Sequence, residues 1–257
     1  MATRREREQA DVTEDAVLGG RLRLRQPARG HRVGHDAIML AAACPAHAGD
    51  AVIELGAGVG AAGLAVAARI PGTTVTLVEI DPHLAALAGE NARLNGLDAR
   101  VRAVVLDVAA PPRAFAGAGL GADSAARVLM NPPFNDPSLQ RSSPDTGRRR
   151  AHAAPRPALA IWIKAAARLL RPRGMLTLIW RADGLADVLA TIAPVFGAIA
   201  VLPVHPRADA PAIRILVTAA KASRGPLKLL PPLVLADASG RPTPAADALL
   251  RDGAALR

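Results

Sequence analysis

Val52-Ile53-Glu54-Leu55-Gly56-Ala57-Gly58-Val59-Gly60 reads as an apolar strand that runs into glycines and opens a helix at Gly60 to Arg69. Small residues at such a turn let backbone approach a ligand at a helix N-terminus. Nineteen residues after Gly60, the β-rich run Thr74 to Val78 ends in Glu79-Ile80-Asp81. A carboxylate there can accept hydrogen bonds from both hydroxyls of an adenosine ribose. Outward from this unit, strand patterns recur at Val101 to Asp107, Arg127 to Asn131, Met175 to Trp180, Ile199 to Val204 and Ile213 to Thr218. With Ala51 to Leu55 and Thr74 to Ile80 they make seven. Helical patterns separate the earlier ones, at His83 to Asn95, Ala158 to Leu170 and Leu185 to Phe196, each followed by Pro or Gly. The alternation predicts an α/β fold with a mainly parallel sheet. The link from Phe196 to Ile213 has no room for a crossover helix, so the last two strands are expected to pair antiparallel.

Composition limits the function. The 257 residues are 51% hydrophobic, enough for a sizeable core, so a disordered chain is excluded. The net charge is +10, a bias toward an anionic partner such as nucleic acid. Only Lys164, Lys221 and Lys228 among the 32 cations are lysine. The excess of arginine also follows from a codon bias toward Ala, Arg, Gly and Pro, and carries no functional weight. Cys44 is the single cysteine, which excludes an internal disulfide and a multi-cysteine metal site. No metal is expected. Aromatics are 2% of the chain, with no Tyr, so binding built on many stacking rings is excluded. No signal segment stands at the N-terminus, and the uncharged stretch from Val188 to Pro206 is interrupted by Pro194, Gly197, Pro203 and Pro206. A cytoplasmic protein without membrane contact is expected.

The glycine turn does not choose its cofactor by spacing alone, because Gly56-x-Gly58-x-x-Ala61 also fits a dinucleotide enzyme. Two carboxylates favour S-adenosylmethionine. Glu54 lies two residues before Gly56, where it can meet an ammonium or sulfonium but would repel a pyrophosphate. Asp107 ends the third strand, where it can accept from an adenine amine; the alternative is a helix cap or loop residue.

The fourth strand ends in Asn131-Pro132-Pro133-Phe134. Ligands on open α/β sheets bind outside the carboxyl ends of the strands, and strand four is expected beside the glycine turn. Two prolines remove two donors and leave carbonyls. If Asn131 Oδ1 and the Pro132 carbonyl accept the two N–H protons of a planar aromatic amine, its nitrogen is drawn toward a nucleophilic geometry. Phe134 would stack on the ring. Such catalysis is positioning and electrostatics, with no acid, base or covalent nucleophile. Taken alone, the tetrapeptide is also compatible with an ordinary turn.

With these motifs in place, the segment Ala16 to Lys221 resembles the class I S-adenosylmethionine-dependent methyltransferases, in particular the methyltransferase small group with its Asn-Pro-Pro-Phe/Tyr motif. Within that group it is most similar to tRNA adenine-N6 methyltransferases acting on the anticodon loop of valine tRNA. Gly30-His31-Arg32-Val33-Gly34-His35-Asp36 and the apolar run that follows resemble the upstream segment that caps the cofactor in that family. The resemblance implies a Rossmann-like, seven-stranded sheet with the last strand antiparallel and helices on both faces. It also implies cofactor contacts at Asp36, Glu54, Gly56, Gly58, Glu79 and Asp107, with Asn131, Pro132, Pro133 and Phe134 at the target amine.

Four segments are expected: a flexible tail over 1–15, a cap on the substrate side over 16–50, the cofactor-binding core over 51–221, and an extension over 222–257 lying on or near the core. Arg148, Arg149 and Arg150 fall in a Pro/Ser/Gly-rich stretch, 137–157, that reads as an RNA-gripping loop. His152 there is read as a surface or phosphate-contacting residue. Arg21, Arg23 and Arg25 alternate with Leu22 and Leu24, so a strand would present arginines on one face: a second phosphate track, or a solubilised edge. Lys221, Arg224 and Lys228 are weighed the same way. Trp162 and Trp180 are read as core. The function expected is N-methylation of a nucleobase in RNA, adenine N6 of tRNA first. Guanine N2 of ribosomal RNA, glutamine N5 of a protein, and an RNA-binding module without activity are the alternatives.

Overall fold

The computed structural model describes residues 12–29, 32–133 and 157–256. Two strands, β1 (Val12–Val17) and β2 (Leu22–Pro27), form an antiparallel ribbon ahead of helix α1 (His35–Ala43). Alternation then follows: β3 (Ala51–Leu55), α2 (Ala61–Arg69), β4 (Thr74–Glu79), α3 (Pro82–Leu94), β5 (Val101–Val105), α4 (Pro112–Gly117), β6 (Ala125–Met130), α5 (Pro157–Leu169), β7 (Leu170–Arg181), α6 (Leu185–Ile192). The chain closes with β8 (Phe196–Arg207), β9 (Arg214–Lys221), β10 (Lys228–Leu229), β11 (Leu233–Ala236) and α7 (Pro244–Asp252).

In the central sheet the seven long strands run β8-β9-β7-β6-β3-β4-β5, with β9 antiparallel to both neighbours and the rest parallel. The expected Rossmann-like sheet is therefore present, and the β8 and β9 hairpin forms as the short link requires. Helices cover both faces. The inward residues of β3 alternate between two cores: Val52 packs with Leu40, Leu64 and Leu77, while Ile53 and Leu55 pack with Phe115, Leu159 and Ile163. The first core lies under α1, α2 and α3, and the second under α4, α5 and α6. Strands buried on both faces read as continuous apolar runs, which is why the sequence displays them.

One feature departs from the sequence reading, and the extension, expected on or near the core, joins it as strands. Residues 12–15 belong to β1 and are not tail; their interleaved charges are satisfied across the ribbon, where Glu14 pairs with Arg23 and Arg25 and Asp15 with Arg32. The extension after Lys221 adds two short strands beside β8, enlarging the sheet to nine, while α7 packs Leu249 into the first core. Prolines 226, 231 and 232 hide these strands from pattern reading.

In β2, Leu22 and Leu24 are buried and the arginines stand outside, as the alternation demands. The edge of β2 opposite β1 is closed by side chains of α3. Asn95 Oδ1 accepts from Arg23 N at 2.9 Å and its Nδ2 donates to Arg23 O at 2.7 Å. Asn91 does the same for Arg25, at 2.7 and 2.9 Å. Positions i and i+4 on a helix and i and i+2 on a strand advance by similar lengths, about 6 and 6.8 Å, so two amides can imitate a third strand. No helix among the described residues is long and apolar enough to cross a membrane.

Candidate cofactor and methyl-transfer site

Ala57 N donates to Val78 O at 2.9 Å and Gly58 N to Glu79 Oε2 at 2.7 Å, which bind the glycine turn to the tip of β4. Gly56 sits at φ +66°, a region closed to most side chains, and a Cβ there would lie 2.3 Å from the indole of Trp162. Glycine is required there by both backbone and neighbour. Asn91 Nδ2 also donates to Val59 O at 3.0 Å, so the N-terminal ribbon and the turn share one amide.

Glu54 is buried on the face of β3 that meets α2, and its Oε2 accepts from Gly63 N at 2.6 Å. The helix is capped from the strand because its N-cap residue is Gly60, which has no side chain to do so. Approach this close needs Gly63, whose Cβ would come 2.4 Å from Leu77 and 2.8 Å from the Glu54 carboxylate. Burial raises the Glu54 carboxyl to about 8, the Gly63 amide opposes this, and the nearby Glu79 carboxylate adds to it. A cation in this region would lower both costs at once.

Glu79 accepts from Gly58 N and, at 3.0 Å, from Asp81 N. A carboxylate has about four acceptor sites, so two bonds leave capacity for hydroxyl donors. Asp107 Oδ1 accepts from Ala109 N at 2.8 Å in a short turn, and the side chain is exposed. The turn reading of Asp107 is what this bond shows, and its exposed carboxylate keeps free acceptor sites. A pocket of about 200 Å³ is lined by Gly56, Ile80, Asp107, Val108 and Trp162, among others. Its walls fit a nucleoside: a glycine backbone, apolar faces and one acceptor. Glu54, Gly58 and Glu79 stand around the turn that forms one end of this pocket. Asp36, in the first turn of α1, lies outside its wall and accepts from Arg214 Nε at 2.9 Å.

Asn131 is the residue after Met130, and Met130 is paired with Leu55, the residue before Gly56. The register sets Asn131 beside the glycine turn. Its Oδ1 is buried and has no hydrogen-bond partner among the described residues. A buried acceptor left open in this way costs about 1–3 kcal/mol, so something else must favour it. Pro132 is buried and Pro133 exposed. Neither has an N–H, so these two residues offer only carbonyl acceptors from their backbone.

Phe134, Arg148, Arg149, Arg150 and His152 lie outside the described residues. The other basic track is largely neutralised: Arg23 pairs with Glu14, Arg25 with Glu14 and Glu90, and Arg21 with Asp252. That favours the solubilised-edge reading of this ribbon. Lys221 is likewise bonded, to Asp123 and the Leu170 carbonyl. Sequence reasoning missed Trp162 and Asn91. The helical spacing of Trp162 with Ile161 and Ala165 shows an apolar face without saying what it covers, and nothing local singles out Asn91.

The comparisons agree with this geometry. The methyltransferase small domain model matches residues 31–204. A curated tRNA1(Val) (adenine(37)-N6)-methyltransferase of Porphyromonas gingivalis is 30% identical over 161 residues, 61% of each chain. The match thus spans about three fifths of that relative. A solved structure described as a predicted O-methyltransferase, Atu636 of Agrobacterium tumefaciens, is 32% identical with a TM-score of 0.73, covering 86% of this chain and 98% of that one. TrmN of Thermus thermophilus shares the fold at a TM-score of 0.51 and 21% identity, covering 72% of this chain and 48% of that one. Fold, glycine turn and family match converge: the chain belongs to the methyltransferase small domain family of S-adenosylmethionine-dependent enzymes.

Proposed function

We propose that this protein methylates an exocyclic amine of a nucleobase in RNA, with adenine N6 of a tRNA as the foremost target. The observation that carries the reading is the open, buried Oδ1 of Asn131 beside the glycine turn. The tRNA relative from P. gingivalis supports the choice of base and of RNA.

S-adenosylmethionine supplies an electrophilic methyl group when bound. Gly56, Gly58, Glu79 and Asp107 are the residues that would hold it, with Glu54 keeping α2 and the turn in register; Asp36, paired with Arg214, stands outside the pocket wall. Asn131 Oδ1 and the Pro132 carbonyl accept hydrogen bonds from the two amine N–H groups and turn the nitrogen lone pair out of conjugation toward the methyl group; the nitrogen gains the methyl as the sulfonium loses it, and one N–H proton then leaves to water. Pro133 limits where the chain can go, and Phe134 stacks on the base. The target base must leave its stack to reach these groups. Arg148, Arg149 and Arg150 grip phosphates, so RNA affinity falls steeply with salt.

The test is incubation with labelled S-adenosylmethionine and total RNA, followed by mass spectrometry of the nucleosides. N6-methyladenosine is the expected product. N2-methylguanosine, an O-methylated product, or label confined to protein would overturn the assignment.

A further inference from the structure

A second cleft, of about 320 Å³, shares no wall with the nucleoside pocket. It opens between the second half of α1 and the far end of α2, against the turn that joins β1 to β2 and the last residues of α7. Arg69 ends the nine-residue helix α2, so about 12 Å of helix lies between the cleft and the glycine turn. Leu18, Ile38, Ala42 and Ala65 form apolar walls, each at most 7% exposed. Polar side chains are confined to Arg21, Arg69 and Asp252.

Arg69 Nη1 donates to Ala42 O at 3.1 Å, and Nη2 to Ala41 O at 2.8 Å and Cys44 O at 2.9 Å. These bonds close the carbonyl end of α1, but all three acceptors are neutral, and no carboxylate among the described residues pairs with this guanidinium. Three bonds do not exhaust its donors. Burial opposes its charge and lowers its pKa from the ordinary value. Arg21 is already engaged: Nη1 donates to Asp252 O at 2.6 Å, and its exposed ion pair with the Asp252 carboxylate spans 3.8 Å. The rim thus holds two cations against one anion, beside walls that offer a polar ligand nothing.

We infer that this cleft binds an aliphatic monocarboxylate, whose chain lies against Leu18, Ile38 and the alanines and whose carboxylate meets Arg69. One negative charge balances the rim, whereas a phosphate brings no apolar body to cover the walls. At about 30 Å³ for a group the size of water, the cleft takes on the order of ten heavy atoms, the size of octanoate. The inference goes beyond the methyl-transfer reading and does not rest on it.

Calorimetric titration of the full-length protein with octanoate, with and without saturating S-adenosylhomocysteine, tests it. One site with a Kd on the order of 0.1–1 mM, the same in both titrations, is expected. Octanol should bind at least about tenfold more weakly, because it lacks the charge-assisted bonds to Arg69, and acetate should give no heat because it lacks the chain. Ala68, an exposed residue of α2 on the cleft, gives a variant that spares the core. Ala68→Phe should abolish octanoate binding and keep the thermal midpoint and the S-adenosylhomocysteine Kd of wild type. Arg69→Gln should bring octanoate and octanol to within about threefold of each other, a ratio that a loss of stability alone does not move.

Octanoate that binds Ala68→Phe as it binds wild type, octanol that binds as tightly as octanoate, or displacement of octanoate by S-adenosylhomocysteine would overturn the proposal. So would a wild-type protein that does not bind octanoate. A protein that binds octanoate but not S-adenosylhomocysteine would refute the cofactor site and support this one.

Discussion

The Glu54 carboxylate on β3 accepts the Gly63 amide at 2.6 Å, so a strand residue caps a helix whose own N-cap, Gly60, has no side chain. Two roles coincide in one group: it fixes the start of α2, and it is a buried carboxyl whose charge is costly.

The pH dependence of stability follows. The Glu54 carboxyl is raised from its ordinary 4.5 to about 8. Between those values the folded state holds a proton that the unfolded state has released, so this contribution is full below 4.5 and lost as pH rises through 8. Glu54→Gln keeps the acceptor and removes the titration. Urea unfolding of the free protein at a series of pH values should show wild type losing stability relative to Glu54→Gln across this window, by at most about 1.4 kcal/mol per pH unit. Parallel curves would contradict the assignment.

Glu79 binds the turn through Gly58 and retains acceptor capacity. Charge-assisted hydrogen bonds contribute about 1.5–3 kcal/mol each, so Glu79→Ala should raise the cofactor Kd by at least about tenfold. Calorimetric titration with S-adenosylhomocysteine is the check, and an unchanged Kd would retire the role.

Asn91 and Asn95 make similar bonds to β2 in different surroundings. Asn91 is fully buried and its amide also bonds Val59, whereas Asn95 is near the surface. Removing Asn91 leaves buried backbone groups unpaired, while water replaces Asn95. Asn91→Ala should cost about 2–3 kcal/mol and Asn95→Ala below about 1 kcal/mol. Denaturant midpoints measure both, and equal costs would refute the distinction.

Particular residues explain what could be read in advance. Runs such as Val52 to Leu55 and Leu176 to Trp180, apolar but for Glu54 and Thr177, are buried on both faces, so the parallel strands are plain in the sequence. Glycines at the turn and acidic strand ends are local signals as well. The fate of Arg23 and Arg25 was not local: whether a half-exposed arginine faces phosphate or carboxylate depends on Glu14 across the ribbon and Glu90 on α3. Trp162 was ambiguous for the same reason, because a helical stripe announces burial and not its partner. Glu54 was foreseen beside the turn, but its bond to Gly63 required knowing how closely α2 approaches β3.

The central claim is that Asn131 is kept for chemistry at the expense of stability. Rates of methyl transfer to RNA and thermal midpoints of wild type and Asn131→Ala test it in one comparison. The account predicts a rate lower by on the order of 10²–10³, with cofactor affinity retained and a midpoint equal or higher, since the variant loses an acceptor that nothing satisfies. A variant that methylates RNA at the wild-type rate, or whose activity falls only because the fold weakens, would contradict it.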